Sequence, residues 1–219
     1  MLTRRWVALA VVLGVIGVVV TALWTPVLGV RSVDVAGVRG LTVAQVETAA
    51  DIRDGTPMLR LDTVGIIIRV ARLPRVAWVD VSREWPSTVR ITITERDPVG
   101  VLTKADGQHL VDSTGLDYAT VAVAPAGLPK LQLPAAAPTD QRTQAVVRVI
   151  SALPAQLRAE VSAVGAATPG SVQLTLAGGR TVRWGSADDS ARKAAVLAAL
   201  MTRPGQIYDV SSPDLPTVS

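Results

Sequence analysis

The chain has no cysteine and no phenylalanine among its 219 residues, and asparagine is missing too. Without cysteine there is no disulfide staple, no thiol nucleophile and no thiolate metal site, so any folded part must hold by its core alone. Without asparagine there is no N-glycosylation acceptor. Histidine occurs once, at His109, which leaves nothing to build the usual nucleophile–base pairs. Neither charge sign dominates: residues 30–97 and residues 98–219 each carry ten basic against nine acidic side chains. The net charge of +4 therefore describes no basic stripe, and nucleic-acid binding is excluded as the main role. No glycine-rich loop precedes a lysine at phosphate-loop spacing, so no nucleotide site is expected.

The sharpest absence is local. From Trp6 to Val30 there is no charged residue, and Thr21 and Thr25 are the only clearly polar ones. About 20 apolar residues in helix span a bilayer core. Trp6 and Trp24 stand ~27 Å apart at the helical rise, the spacing of two interfacial aromatic belts. Pro26 and Gly29 mark the helix exit. Arg4 and Arg5 precede the run, and the positive-inside rule keeps that end in the cytoplasm. The expectation is a cytoplasmic tail at 1–5, a single-pass type II membrane helix at 6–28, and an extracytoplasmic remainder. The alternative is a signal peptide cleaved after Val20-Thr21-Ala22. Its apolar core runs only ~7–15 residues, shorter than this stretch.

Residues 30–97 read as strand, helix, helix, strand, strand. Val33 and Val35 alternate with Ser32 and Asp34. Thr42 caps a helix to Ala50 that places Val43, Val46 and Ala50 on one face. Asp62 caps a second helix, stopped by Pro74, with a stripe of Val64, Ile67, Ile68 and Ala71. A hairpin follows, with Ala77, Val79 and Val81 alternating before the Glu84-Trp85-Pro86-Ser87 turn and Val89, Ile91 and Ile93 after it. Such a unit covers a three-stranded sheet with two helices on one face.

Residues 98–219 read as a second, mixed unit, so the fold class is α+β. Strands are expected at Val99–Leu102, His109–Val111, Leu131–Leu133, Val172–Leu176, Thr181–Trp184 and Ile207–Val210. Thr139 is expected to cap a helix to Leu153, and Ser186 a helix from Asp188 to Met201. Pro213 and Pro216 break up the tail. His109 is expected as a surface or edge residue. Asp112-Ser113-Thr114-Gly115 is expected as a turn after a strand, because an aspartic-protease site needs a second copy. Asp188 and Asp189 suit a first helical turn better than a metal site.

Taken together, Val33-Asp34-Val35-Ala36-Gly37, Gly55 through Asp62, Leu73-Pro74-Arg75-Val76-Ala77-Trp78-Val79, Arg83-Glu84-Trp85-Pro86-Ser87-Thr88-Val89, Glu95-Arg96-Asp97-Pro98-Val99, Leu110 through Gly115, Leu128-Pro129-Lys130-Leu131 and Gly185 through Lys193 ahead of Tyr208-Asp209-Val210 resemble the FtsQ/DivIB family of bacterial cell-division proteins. The resemblance implies a POTRA domain at 30–97 and an FtsQ-type β-domain at 98–219. It implies a divisome scaffold at the division septum that binds FtsB- and FtsL-like single-pass proteins. No catalysis, cofactor, metal or small-molecule substrate is implied. In the family a partner strand adds to the last strand, which here is expected at Ile207, Tyr208, Asp209, Val210 and Ser211, with Tyr208 as anchor. An alternative left open is that this strand is internal and paired on both sides. Trp78, Arg83 and Trp85 form a secondary candidate contact. The rival readings are a POTRA-bearing membrane assembly or export component, which would need a long barrel with aromatic girdles, and an anchored cell-wall enzyme, which would need a nucleophile and base.

Overall fold

The computed structural model describes residues 6–7, 10–18 and 29–219. Of the expected membrane span, residues 8–9 and 19–28 lie outside the described residues, as does the 1–5 tail. Residues 6–7 and 10–18 are helical and exposed. No helix among the described residues is long and apolar enough to cross a membrane. The chain divides into two compact units, Met1–Arg96 and Asp97–Ser219.

The first unit runs β1 (Ser32–Ala36), α1 (Val43–Ala50), a 3-10 turn (Met58–Arg60), α2 (Thr63–Val70), β2 (Val76–Glu84) and β3 (Thr88–Glu95). The sheet order is β1-β3-β2, with β1 parallel to β3 and β2 antiparallel to it. Both helices start at side-chain caps. Thr42 forms a capping box with Gln45, and the Asp62 carboxylate accepts from the Gly65 N–H at 2.9 Å. The core gathers Val46, Ala50, Met58, Ile66, Val70, Val79, Val89, Ile91 and Ile93.

Two expected faces are corrected here. On α2 the buried side chains are Ile66 and Val70, whereas Val64 and Ile68 stand exposed. Asp62 sets where the first turn begins, and positions four residues apart then share the inward face. On β2 a bulge between Val76 and Trp78 inverts the alternation at that end, so Val76 is buried and Ala77 exposed.

The second unit contains one nine-stranded sheet in the order β12-β11-β10-β9-β8-β7-β4-β5-β6. Its strands are β4 (Pro98–Lys104), β5 (Gly107–Asp112), β6 (Asp117–Val121), β7 (Lys130–Gln132), β8 (Val161–Ala166), β9 (Val172–Leu176), β10 (Thr181–Gly185), β11 (Ile207–Asp209) and β12 (Thr217–Val218). Three helices accompany it: α3 (Gln141–Ala152), α4 (Ala155–Glu160) and α5 (Ser190–Leu200). The main core joins Val146, Val149 and Ile150 of α3 and Leu197 of α5 to Val164, Leu174, Val182 and Trp184 of the sheet. A smaller cluster of Val101, Leu110 and Tyr118 serves β4–β6.

The caps differ from expectation. Asp140, not Thr139, caps α3, accepting from the Thr143 N–H at 3.0 Å. Asp189, not Ser186, precedes α5, in left-handed conformation and without a side-chain cap bond. The Ser186 carbonyl instead accepts from the buried Lys193 Nζ at 3.0 Å. Burial lowers that ammonium's pKa, opposed by Asp188 and Asp189.

Candidate partner-binding edges

A sheet edge presents unpaired N–H and C=O groups, so it is the natural place for a strand to add. The expected strand is not that edge. β11 pairs in parallel with β10, Tyr208 opposite Val182, and antiparallel with β12, Tyr208 opposite Val218. The open alternative, an internal strand paired on both sides, is the one the structure adopts. Tyr208 is only 1% exposed, and its hydroxyl donates to the Arg203 carbonyl at 2.9 Å. Val210 is also buried, and its N–H donates to the Arg183 carbonyl at 3.0 Å. Tyr208 is therefore a core residue, not a surface anchor. The phenol has both an apolar bed and a hydroxyl acceptor inside the unit, which is how buried tyrosine is satisfied. Ile207 and Asp209 are half-buried and Ser211 is exposed, outside the strand. Asp209 Oδ1 accepts from the Ser211 N–H at 3.0 Å and from its hydroxyl at 2.6 Å.

The edge next to it is β12, one of the sheet's two edges, the other being β6. Ser219 binds β11 through both backbone groups: its N–H donates to the Ile207 carbonyl at 3.0 Å, and its carbonyl accepts from Ile207 at 2.8 Å. Alternate residues of an antiparallel strand direct their backbone groups to opposite sides. The Val218 N–H and C=O therefore face outward, and among the described residues no strand pairs with that side. The only signal in the sequence was Val218 itself, two residues after Pro216.

In the first unit β2 is an edge of its sheet. Trp78 is 70% exposed on the open sheet face, and Trp85 lies exposed in the β2–β3 turn. The Arg83 guanidinium donates to the Leu61 carbonyl at 2.7 Å. These three residues do not form one patch, because Trp78 and Trp85 sit at opposite ends of β2.

The chemistry-bearing residues are engaged structurally. His109 is buried rather than on the surface. Its Nδ1 lies 2.8 Å from Asp117 Oδ2 and its Nε2 lies 2.9 Å from Asp106 Oδ1. The hydrogen bond from His109 holds the Asp106 carboxyl below its ordinary range. Asp112 Oδ1 accepts from the Thr114 N–H at 2.8 Å and the Leu116 N–H at 3.0 Å, which makes the turn after β5.

Comparison with known proteins adds the family. The family described as POTRA domain, FtsQ-type, matches residues 28–96. The family described as Cell division protein FtsQ/DivIB, C-terminal, matches residues 100–215. Cell division protein FtsQ of Mycolicibacterium smegmatis is 45% identical over 214 residues, which cover 97% of this chain and 63% of that protein. The Mycobacterium tuberculosis H37Rv protein of the same name is 43% identical over 95% of this chain and 67% of its own length. The Streptomyces venezuelae protein is 38% identical over 97% of this chain and 83% of its own length. The chain thus spans about 63% of the length of the first of these relatives.

Proposed function

Since the chain belongs to the FtsQ/DivIB family of cell-division proteins, we propose that it is a scaffold of the division machinery that works by binding alone. Residues 6–28 anchor it in the cell membrane with the 1–5 tail in the cytoplasm. The POTRA domain at 30–97 and the β-domain at 98–219 stand outside, at the septum. Its partners are FtsB- and FtsL-like single-pass proteins. The observation that carries this reading is the outward-facing backbone of Val218 on β12, the edge of the sheet opposite β6. A partner strand would pair there antiparallel or parallel to β12, extending the nine strands to ten. Affinity then comes from main-chain hydrogen bonds, and the role of Ile207, Tyr208 and Val210 is to hold the strand that supports the edge.

The test is Val218→Pro in the full chain. Proline removes the N–H that faces the partner but none that β11 uses, so the fold is expected to persist. Capture of purified FtsB- and FtsL-like proteins should fall at least about tenfold, the equivalent of one or more lost hydrogen bonds and a steric clash. Undiminished capture by a variant with the parent's melting curve refutes the edge. A C-terminal reporter active in the cytoplasm, or a chain washed from membranes by carbonate, refutes the anchor.

A further inference from the structure

One end of the first unit gathers exposed side chains around the point where the chain enters it. Gly29 bridges Pro57, the Val30 N–H donates to the Thr56 carbonyl at 2.9 Å, and the Gly55 N–H donates to the Val30 carbonyl at 2.8 Å. The Arg31 N–H donates to the Ser87 carbonyl at 2.8 Å. The incoming chain is thus pinned between the 55–57 loop and the 84–87 turn. Beside those two segments stand two exposed apolar side chains, Leu59 at 49% and Trp85 at 52%. Arg31, Arg53, Arg60 and Arg83 are exposed around them, interspersed with Asp51, Asp54 and Asp62.

We propose that this end of the unit docks on the phospholipid headgroup layer, with Trp85 and Leu59 at the boundary between headgroups and acyl chains and the arginines on lipid phosphates. The proposal rests on residues 6–28 being the membrane anchor. The uncharged run ends at Val30, and Val30 is already buried in the unit, so an anchor at 6–28 would end next to the folded unit in sequence. A folded domain entered that soon after an anchor has its Gly29 end as the part nearest the membrane surface. Tryptophan is enriched at that depth, and arginine reaches phosphate while its stem stays in apolar surroundings. The mixed charges suit a layer that carries both phosphates and amines. Trp78 lies about 20 Å further along β2 by strand rise, so docking leaves it in water. Trp85 and Trp78 therefore have separate fates: Trp85 meets lipid and Trp78 does not.

The absence of native cysteine makes the test clean. The full chain takes one reporter cysteine, Asp54→Cys in the Gly29-end loop or Ala77→Cys beside Trp78, each at an exposed position. Each is labelled with a fluorophore and reconstituted in phosphatidylethanolamine–phosphatidylglycerol vesicles containing a headgroup-quencher lipid. Quenching at 54 should exceed that at 77 by at least about twofold, and Trp85→Ser with Leu59→Ser should bring it down towards the level at 77. Leu59→Ser alone, outside the core, should give a smaller change in the same direction. Equal quenching at 54 and 77 overturns the proposal. So does undiminished quenching at 54 in the serine variants, because nearness to the anchor then accounts for it. Either result with protein retained through a carbonate wash leaves the anchor standing, whereas loss of protein in the wash sinks the anchor and the docking together.

Discussion

Glu95 offers the most direct test of how the first unit holds together. It is the last residue of β3 and only 5% exposed. Its Oε1 accepts from three consecutive backbone N–H groups, Arg39 at 2.7 Å, Gly40 at 2.9 Å and Leu41 at 2.9 Å, and its Oε2 accepts again from Gly40 at 3.0 Å. One carboxylate thus closes the loop between β1 and the cap of α1. Hydrogen bonds to a charged group contribute roughly 1.5–3 kcal/mol each, against about 1 kcal/mol for neutral pairs. Glu95→Gln keeps one acceptor oxygen and loses the charge, so a cost of about 2 kcal/mol is expected. Glu95→Ala strands all three donors. Arg39 and Gly40 are exposed enough for water to take over in part, so about 3–4 kcal/mol is the working figure. A small unit without disulfides has roughly 3–5 kcal/mol in all, so the alanine variant should leave it largely unfolded. Hydrogen exchange of the full chain reads this directly: amides of residues 88–95 should exchange about 30-fold faster in Glu95→Gln. The pH dependence has a definite sign. Burial raises this carboxyl's pKa, but the N–H groups of Arg39, Leu41 and Gly40 and the Arg39 charge outweigh it, and the net shift is downward from 4.5. The stabilisation is therefore complete above that ordinary value and is lost as pH falls through the lower folded one. The parent should lose more protection in that window than Glu95→Gln does. Parent-like exchange in Glu95→Ala would refute the reasoning.

Ile91 is fully buried in the same unit. Ile91→Asp places an uncompensated charge in the core, a loss expected above about 4 kcal/mol, and native-like protection of residues 76–95 would contradict it. In the second unit Tyr208→Phe removes only the hydroxyl bonded to the Arg203 carbonyl. It should cost about 1 kcal/mol in urea unfolding, and partner capture should survive. Tyr208→Ala empties a core site instead, at roughly 3–5 kcal/mol, so any lost capture in that variant should track lost structure. Capture lost by a Tyr208→Ala variant with the parent's stability would restore Tyr208 as a contact residue.

What the sequence made legible follows from the range of the physics involved. Thr42 and Asp62 were readable as caps because a cap is a contact across three residues. The hairpin around Trp85-Pro86 and the strand at Val172, Leu174 and Leu176 were readable because a period of two needs only five residues to show. The inward face of α2 was not. Three successive isoleucines leave the pattern nearly degenerate, and which of them turns inward depends on the sheet beneath. The bulge at Val76–Trp78 was equally hidden, since it arises from how β2 meets β3. α4 and β8 escaped because six residues each, joined without a break at Glu160–Val161, show neither a full helical period nor a turn signal between them.

The candidate site failed at the same boundary between local and distant information. Ile207 to Val210 looks like a last strand because it is the last run with enough apolar residues to announce itself. Burial of Tyr208 and Val210 is set by β10 and β12, neither of which leaves a mark on the strand's own sequence. A strand of two residues, Thr217 and Val218, has no period at all, yet its position decides which backbone groups remain open. The apolar content that makes a strand visible also tends to bury it. An edge is less prone to unwanted pairing when it is short, and Thr217 and Val218 between Pro216 and Ser219 make a strand of only two residues. Under the proposed function it is β12 that would receive a partner strand, with β11 as its support.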